Sequence, residues 1–242
     1  MSTCWVGAPS NGLPAESTMK RFLTLALTAL LAASTHAGEA VHGKPIATRA
    51  VLVHGIFEDG RRFKKMKARL ESHGIRCFTP KLIHHDGIGG LDFLAEHLKK
   101  DIDEAFGKDE KIILIGFSMG GMVSRHYLQQ LGGAERCATF ITISSPHHGT
   151  AAAWAFPSKG SVQMRAGSDF LANLARTEHR LGKIPVVSYR SPMDLIILPT
   201  ESSVWERAEN VSFNIPAHPM MLQSRKVIDD IERRILVSPA TR

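Results

Sequence analysis

Ser118 sits in Gly116-Phe-Ser118-Met-Gly120, a G-x-S-x-G pattern. The unbroken apolar run 112–115 precedes it and a helical pattern follows at once, so the context is strand, sharp turn, helix. Small residues at 116 and 120 let neighbouring backbone approach the turn, so the serine hydroxyl can project above the sheet edge. A serine hydroxyl becomes a nucleophile at neutral pH only beside a base, and the base needs an orienting partner. Asp194 lies 76 residues after Ser118, and His218 lies 24 after Asp194. The order Ser, Asp, His is the one that accompanies a serine on a strand-to-helix elbow. The chemistry these types support is acyl transfer: Ser118 as nucleophile, His218 as general base then acid, Asp194 as the carboxylate fixing the imidazole tautomer. Such chemistry also needs N–H donors at the developing oxyanion, each worth about 10²–10³ in rate. The main chain of Met119, directly after the serine, and of Ile56, in the loop after the first strand, is expected to supply them.

The elements that must hold these residues alternate. Strand signals fall at 50–53, 75–79, 112–115, 139–144, 185–189 and 210–215, with helical stripes between them. Phe63, Met66 and Leu70 mark the first helix. Leu91, Leu94, Leu98, Ile102 and Ala105 mark the second, Val123, Tyr127 and Leu131 the third, and Val227, Ile228, Ile231 and Ile235 the last. Strict alternation predicts an α/β fold with a mostly parallel sheet of about six strands and helices on both faces. Ligands in such sheets sit outside the carboxyl ends of the strands. His54, Ser118, His147, His148, Asp194 and His218 all follow strands closely.

Other groups fit the chemistry less well. His147 and His148 precede Asp194 and break the chain order, so they are expected to shape the pocket wall or pack beside it. Phe57 and Phe117 are further candidates for touching substrate. His54 should hydrogen-bond backbone and hold a loop. His84, His85 and Asp86 are consecutive, so their side chains diverge and a shared metal is not expected. Asp169 lies in an insertion and Asp229 and Asp230 on the last helix, none of them a strand end.

A length of 242 residues suffices for one domain with a full core. The chain carries a formal charge of +7, but its basic residues are dispersed without interleaved aromatics. That predicts a solvated basic surface, with transient attraction to anionic membranes, and no nucleic-acid groove. Met19-Lys20-Arg21, an uncharged run at 22–33 and Thr35-His-Ala37 form the three parts of a secretory signal peptide. Residues 1–37 are therefore expected to be leader and signal, 38–242 a single catalytic domain, and the mature chain exported as a monomer. Cys77 and Cys137 remain. Both should start strands three positions apart, roughly 14 Å at about 4.8 Å per strand. A disulfide needs a Cα separation below about 7 Å, so two buried free thiols are expected.

His54-Gly-Ile56, the Ser118 pentapeptide, Ser-Ser-Pro-His-His-Gly-Thr150, Ser-Pro-Met-Asp194 and His218-Pro-Met-Met-Leu222 together resemble the bacterial lipase/esterase branch of the α/β-hydrolase superfamily. The match spans roughly 49–236 and looks like the compact, nearly cap-less members. The resemblance implies an α/β-hydrolase fold, hydrolysis of small-molecule or lipid carboxylic esters through an acyl-enzyme, and no cofactor. It places nucleophile, acid, base and oxyanion donors on the residues already chosen. Phe117 departs from the His that many lipases carry before the nucleophile, and Pro219 follows the base. Thioesterase, acyltransferase and polyester depolymerase share such a triad, and a non-catalytic binding scaffold is a further alternative. Residues 151–183, the only long irregular insertion, are read either as a lid or pocket wall over Ser118 or as a helical excursion packed on the sheet edge.

Overall fold

The computed structural model describes residues 1–2 and 43–237; the expected leader and signal segment lies outside the described residues from position 3 onward. The chain runs β1 (Lys44–Pro45), β2 (Arg49–Val53), α1 (Lys64–Glu71), β3 (Arg76–Phe78), α2 (Leu91–Phe106), β4 (Ile112–Phe117) and α3 (Met119–Gln130). It continues through β5 (Cys137–Ile143), α4 (Lys159–Gln163), α5 (Asp169–Arg176), β6 (Val186–Arg190), β7 (Glu209–Ser212), α6 (Arg225–Ile235) and β8 (Leu236–Val237). Six strands form one sheet in the order β3-β2-β4-β5-β6-β7, and every pairing in it is parallel.

β2 and β4 lie inside the sheet and β4 is buried at every position, which is why both read as continuous apolar runs. Alternate side chains serve the two faces. Val51, Val53, Ile112, Leu114 and Phe140 join α2 and α3 in one core cluster. Ala50, Leu52, Ile113 and Ile115 point the other way and are equally buried. α1 and α6 pack against each other. β7 is the exposed edge strand. It ends at Ser212 rather than at the expected residue 215, because its only neighbour, β6, ends at Arg190, the partner of Ser212.

Cys77 on β3 and Cys137 at the start of β5 are three sheet positions apart, and both are buried and unpaired. The expectation of an irregular segment at 151–183 is corrected. It holds two 3-10 turns, Ala151–Trp154 and Glu178–Leu181, and the helices α4 and α5. Ser158 and Ser168 cap those helices by accepting from Ser161 N and Leu171 N. Phe170, Leu171 and Leu174 then bury themselves against the α2–α3 face, not on a sheet edge. Among the described residues no helix is long and apolar enough to cross a membrane.

Candidate active site

The elbow is built from β4 and α3. Ser118 joins them with φ 53 and ψ −125, a left-handed conformation that non-glycine residues adopt only under constraint. The constraint is close packing: a methyl on Gly120 would lie 2.3 Å from Val53 O and 2.4 Å from His54 O, and one on Gly116 would lie 2.5 Å from Gly121 Cα. Ser118 N donates to Ile143 O at 2.9 Å, fastening the turn to the end of β5. Ser118 is 6 % exposed.

Asp194 and His218 come together. His218 Nδ1 donates to Asp194 Oδ2 at 2.7 Å, and the two residues are 8 % and 3 % exposed respectively. Asp194 Oδ1 accepts from the N–H groups of Ile196 and Ile197. Burial pushes the Asp194 carboxyl up, but the His218 hydrogen bond and charge and the N–H groups of Ile197 and Ile196 outweigh it, so its pKa lies below the ordinary value. The carboxylate is therefore ionised and holds the proton on Nδ1, which leaves Nε2 as the basic nitrogen. His218 opens the 3-10 segment His218–Gln223, with Pro219 in its first turn. Its ring lies against Phe117, 4.7 Å between centroids, and Phe117 is the residue before Ser118. That contact places the imidazole against the neighbour of Ser118; among the described residues Ser118 Oγ and His218 Nε2 are not hydrogen-bonded to each other.

The remaining expected residues fall into three groups. Among the described residues the N–H groups of Ile56 and Met119 meet no acceptor, whereas the next N–H after Ile56, that of Phe57, donates to His85 O. Phe57 itself is 56 % exposed at the mouth and meets Phe156 of the insertion edge to face at 5.0 Å. His147 and His148 gather elsewhere. His147 is buried, stacks on Trp205 at 4.5 Å and bonds Thr142 Oγ1 through Nε2; burial, then the charges of Arg125 and His148, hold its pKa well below 6.5. Thr142 donates to Ser188 and Ser188 to Ser203 O, so the His147 nitrogen must be the donor. His148 is exposed beside Glu206. His54 donates through Nδ1 to Gly55 O and receives Leu82 N on Nε2, holding a loop as expected.

Three supporting residues escaped the sequence reading. Ser191 Oγ donates to Ile215 O and accepts from Met193 N and Ile215 N, tying the Asp194 turn to the segment between β7 and His218. Thr150 Oγ1 donates to Ile196 O and accepts from Leu198 N, bracing the acid loop from the other side. Glu58 lies near enough to His218 to feel its charge. Ser191 and Thr150 had a signal, as the first residue of Ser-Pro-Met-Asp194 and the last of Ser-Ser-Pro-His-His-Gly-Thr150. Among the described residues no group of three or more His, Cys, Asp or Glu is arranged to hold a metal ion.

Residues 51–223 match the family model for the alpha/beta hydrolase fold, and the chain belongs to that family. Among solved structures, the mature lipase BlEst2 of Bacillus licheniformis superimposes with a TM-score of 0.67 at 16 % identity, covering 83 % of this chain and 97 % of that one. The ydeN gene product of B. subtilis gives 0.59 at 13 % identity, covering 78 % and 98 %. Est1E from Butyrivibrio proteoclasticus gives 0.58 at 15 %, covering 78 % and 86 %. At these identities the likeness is one of fold. No curated protein matches the chain.

Proposed function

We propose that this chain is an exported serine hydrolase that cleaves carboxylic esters through an acyl-enzyme. The observation that carries the reading is the Asp194–His218 pair, hydrogen-bonded at 2.7 Å with its imidazole against Phe117, the neighbour of a strained Ser118. Ser118 Oγ attacks the ester carbonyl carbon as His218 Nε2 takes its proton. The carbonyl π electrons move onto oxygen, and the oxyanion is held by the N–H groups of Ile56 and Met119. Collapse breaks the bond to the alcohol oxygen, which leaves with the proton from His218. Water then attacks the acyl-serine by the same route and releases the acid and free Ser118. A fixed donor in such a hole is worth about 3 kcal/mol of transition-state stabilisation.

Exposed apolar side chains on the surrounding loops and the insertion support an apolar acyl or alcohol part. Phe57, Trp154, Phe156, Met193, Leu195 and Met220 are all exposed on loops at the carboxyl ends of the strands or on the insertion. A cluster of large exposed apolar side chains around a site marks a surface that meets apolar ligand. The signal-like segment starting at Met19 supports export. The test is hydrolysis of p-nitrophenyl esters from acetyl to palmitoyl, beside Ser118→Ala. Wild type should turn over at least one chain length and the variant none; activity surviving in Ser118→Ala would end this mechanism.

A further inference from the structure

Beside the expected oxyanion loop lies a cavity of about 600 Å³ that the triad does not use. Phe57, Glu58, Asp59, Arg61, Arg62 and Gln223 are among its walls. Its position ties it to the reaction. Phe57 follows Ile56, Gln223 closes the 3-10 segment that His218 opens, and the turn Arg61–Phe63 packs against that segment. The volume is that of a site for a ligand fragment rather than a crevice for a few waters.

Each carboxylate of the walls pairs with one of the two arginines. Asp59 accepts the N–H and the Nε–H of Arg61 at 3.1 and 2.6 Å. Glu58 Oε1 faces Arg62 Nε at 2.8 Å, and Glu58 Oε2 is buried with no hydrogen-bond partner among the described residues. Each guanidinium commits only its Nε to these pairs. Among the described residues the Nη groups of Arg61 and Arg62 donate to nothing. The four charges balance, and what the walls leave free is guanidinium N–H: two adjacent forks of donors that match phosphate and carboxylate oxygens.

We propose that this cavity is a subsite for an anionic group, a phosphate or carboxylate, carried by the ester substrate and gripped by Arg61 and Arg62. The proposal rests on the ester-hydrolase reading and names the substrate class for it. The side chain of Arg61 is 90 % exposed, so the grip is screened by salt.

The test uses matched soluble pairs: p-nitrophenyl hemiglutarate against p-nitrophenyl valerate, and 1-butyrylglycerol 3-phosphate against 1-butyrylglycerol. Wild type should favour the anionic member by roughly tenfold in kcat/KM, equivalent to one charge-assisted contact pair. Arg61→Gln/Arg62→Gln should remove that ratio chiefly through KM, Arg61→Lys/Arg62→Lys should keep part of it, and added salt should shrink it. Equal rates on both members of each pair, or an unchanged ratio in the Gln variant, overturn the subsite while leaving ester hydrolysis intact. A salt-sensitive gain seen only on phosphatidylglycerol vesicles, and not with the soluble pairs, overturns it in favour of a lipid-surface contact. If no ester is turned over, calorimetry with glycerol 3-phosphate decides. Binding lost in the Gln variant keeps the subsite and rejects the hydrolase reading; no binding in wild type rejects both.

Discussion

Asp194→Asn separates the two jobs that the acid performs. One oxygen accepts the N–H groups of Ile196 and Ile197 at 2.9 and 3.0 Å, and the other takes His218 Nδ1–H at 2.7 Å. An asparagine can satisfy only one side. If its carbonyl stays on the two N–H groups, its NH₂ faces Nδ1, which must then accept. The imidazole proton moves to Nε2, and the lone pair that should receive the Ser118 proton is gone. The flipped amide keeps the imidazole but orphans the buried Ile197 N–H at about 1–3 kcal/mol, and the part-buried Ile196 N–H besides. The first orientation is thus preferred by about 1–3 kcal/mol, roughly fivefold or more. The expected result is a loss of about 10³–10⁴ in kcat with KM little changed and the fold intact. Thermal unfolding supplies a second readout. The pKa of Asp194 is lowered in the folded state, so its contribution is full above the ordinary carboxylate value and disappears as pH falls through the folded value. The melting-temperature gap between wild type and variant should therefore narrow from pH 7 towards pH 3. A folded Asp194→Asn protein that keeps more than about a tenth of wild-type kcat would remove Asp194 from the mechanism.

Gly120→Ala should fail as a structure before it fails as an enzyme. Its methyl would meet two backbone oxygens at 2.3 and 2.4 Å that cannot swing aside, at about 3 kcal/mol or more, read by thermal unfolding or loss of soluble protein. His218→Ala should abolish ester hydrolysis, whereas His147→Ala should lose about 2–4 kcal/mol of stability with its stack on Trp205 yet keep measurable turnover. The reverse pattern would reassign the base. Burial pushes both the Cys77 and Cys137 thiols up to about 12. Native protein at pH 8 should therefore resist iodoacetamide at both positions, both should react on unfolding, and reduction should leave the mass unchanged.

The sheet was legible because its central strands are buried on both faces and leave apolar runs that need no partner to be recognised. The triad candidates were legible for a related reason: a parallel sheet delivers every strand end to one edge, so a Ser, Asp and His that each follow a strand converge without further information. What escaped depends on contacts between distant segments. β1 and β8 are two residues each and pair only with one another, so neither has a periodicity to read. The proximity of Glu58 to His218 depends on how the loop after β2 folds back, and one buried carboxylate leaves no pattern. The insertion looked irregular because its helices are short and draw their partners from α3, far away in the chain.

Those partners also limit how the insertion can move. At its far end Glu178 receives Arg125 Nη2 at 3.1 Å and Trp205 Nε1 at 2.5 Å, while Gln129 and Gln130 both donate to Thr177 Oγ1. Arg125 also lies over the Trp205 ring at 4.1 Å, and burial lowers its pKa to about 10. Lifting α5 would strand that guanidinium, at about 3–5 kcal/mol for a broken buried pair, and would expose Phe170, Leu171 and Leu174 besides. The near end is pinned as well, by Ala151 N on Leu198 O, Gly160 N on Gly87 O and Lys159 on Asp92, which leaves the stretch 154–157 exposed between them with Phe156 resting on Phe57. Any lid motion would therefore be confined to residues 154–157, closing through the Phe156–Phe57 pair directly after the expected oxyanion donor. Phe156→Ala should then alter KM for long acyl chains more than for acetyl esters, whereas an equal change across chain lengths would leave the segment as wall rather than lid.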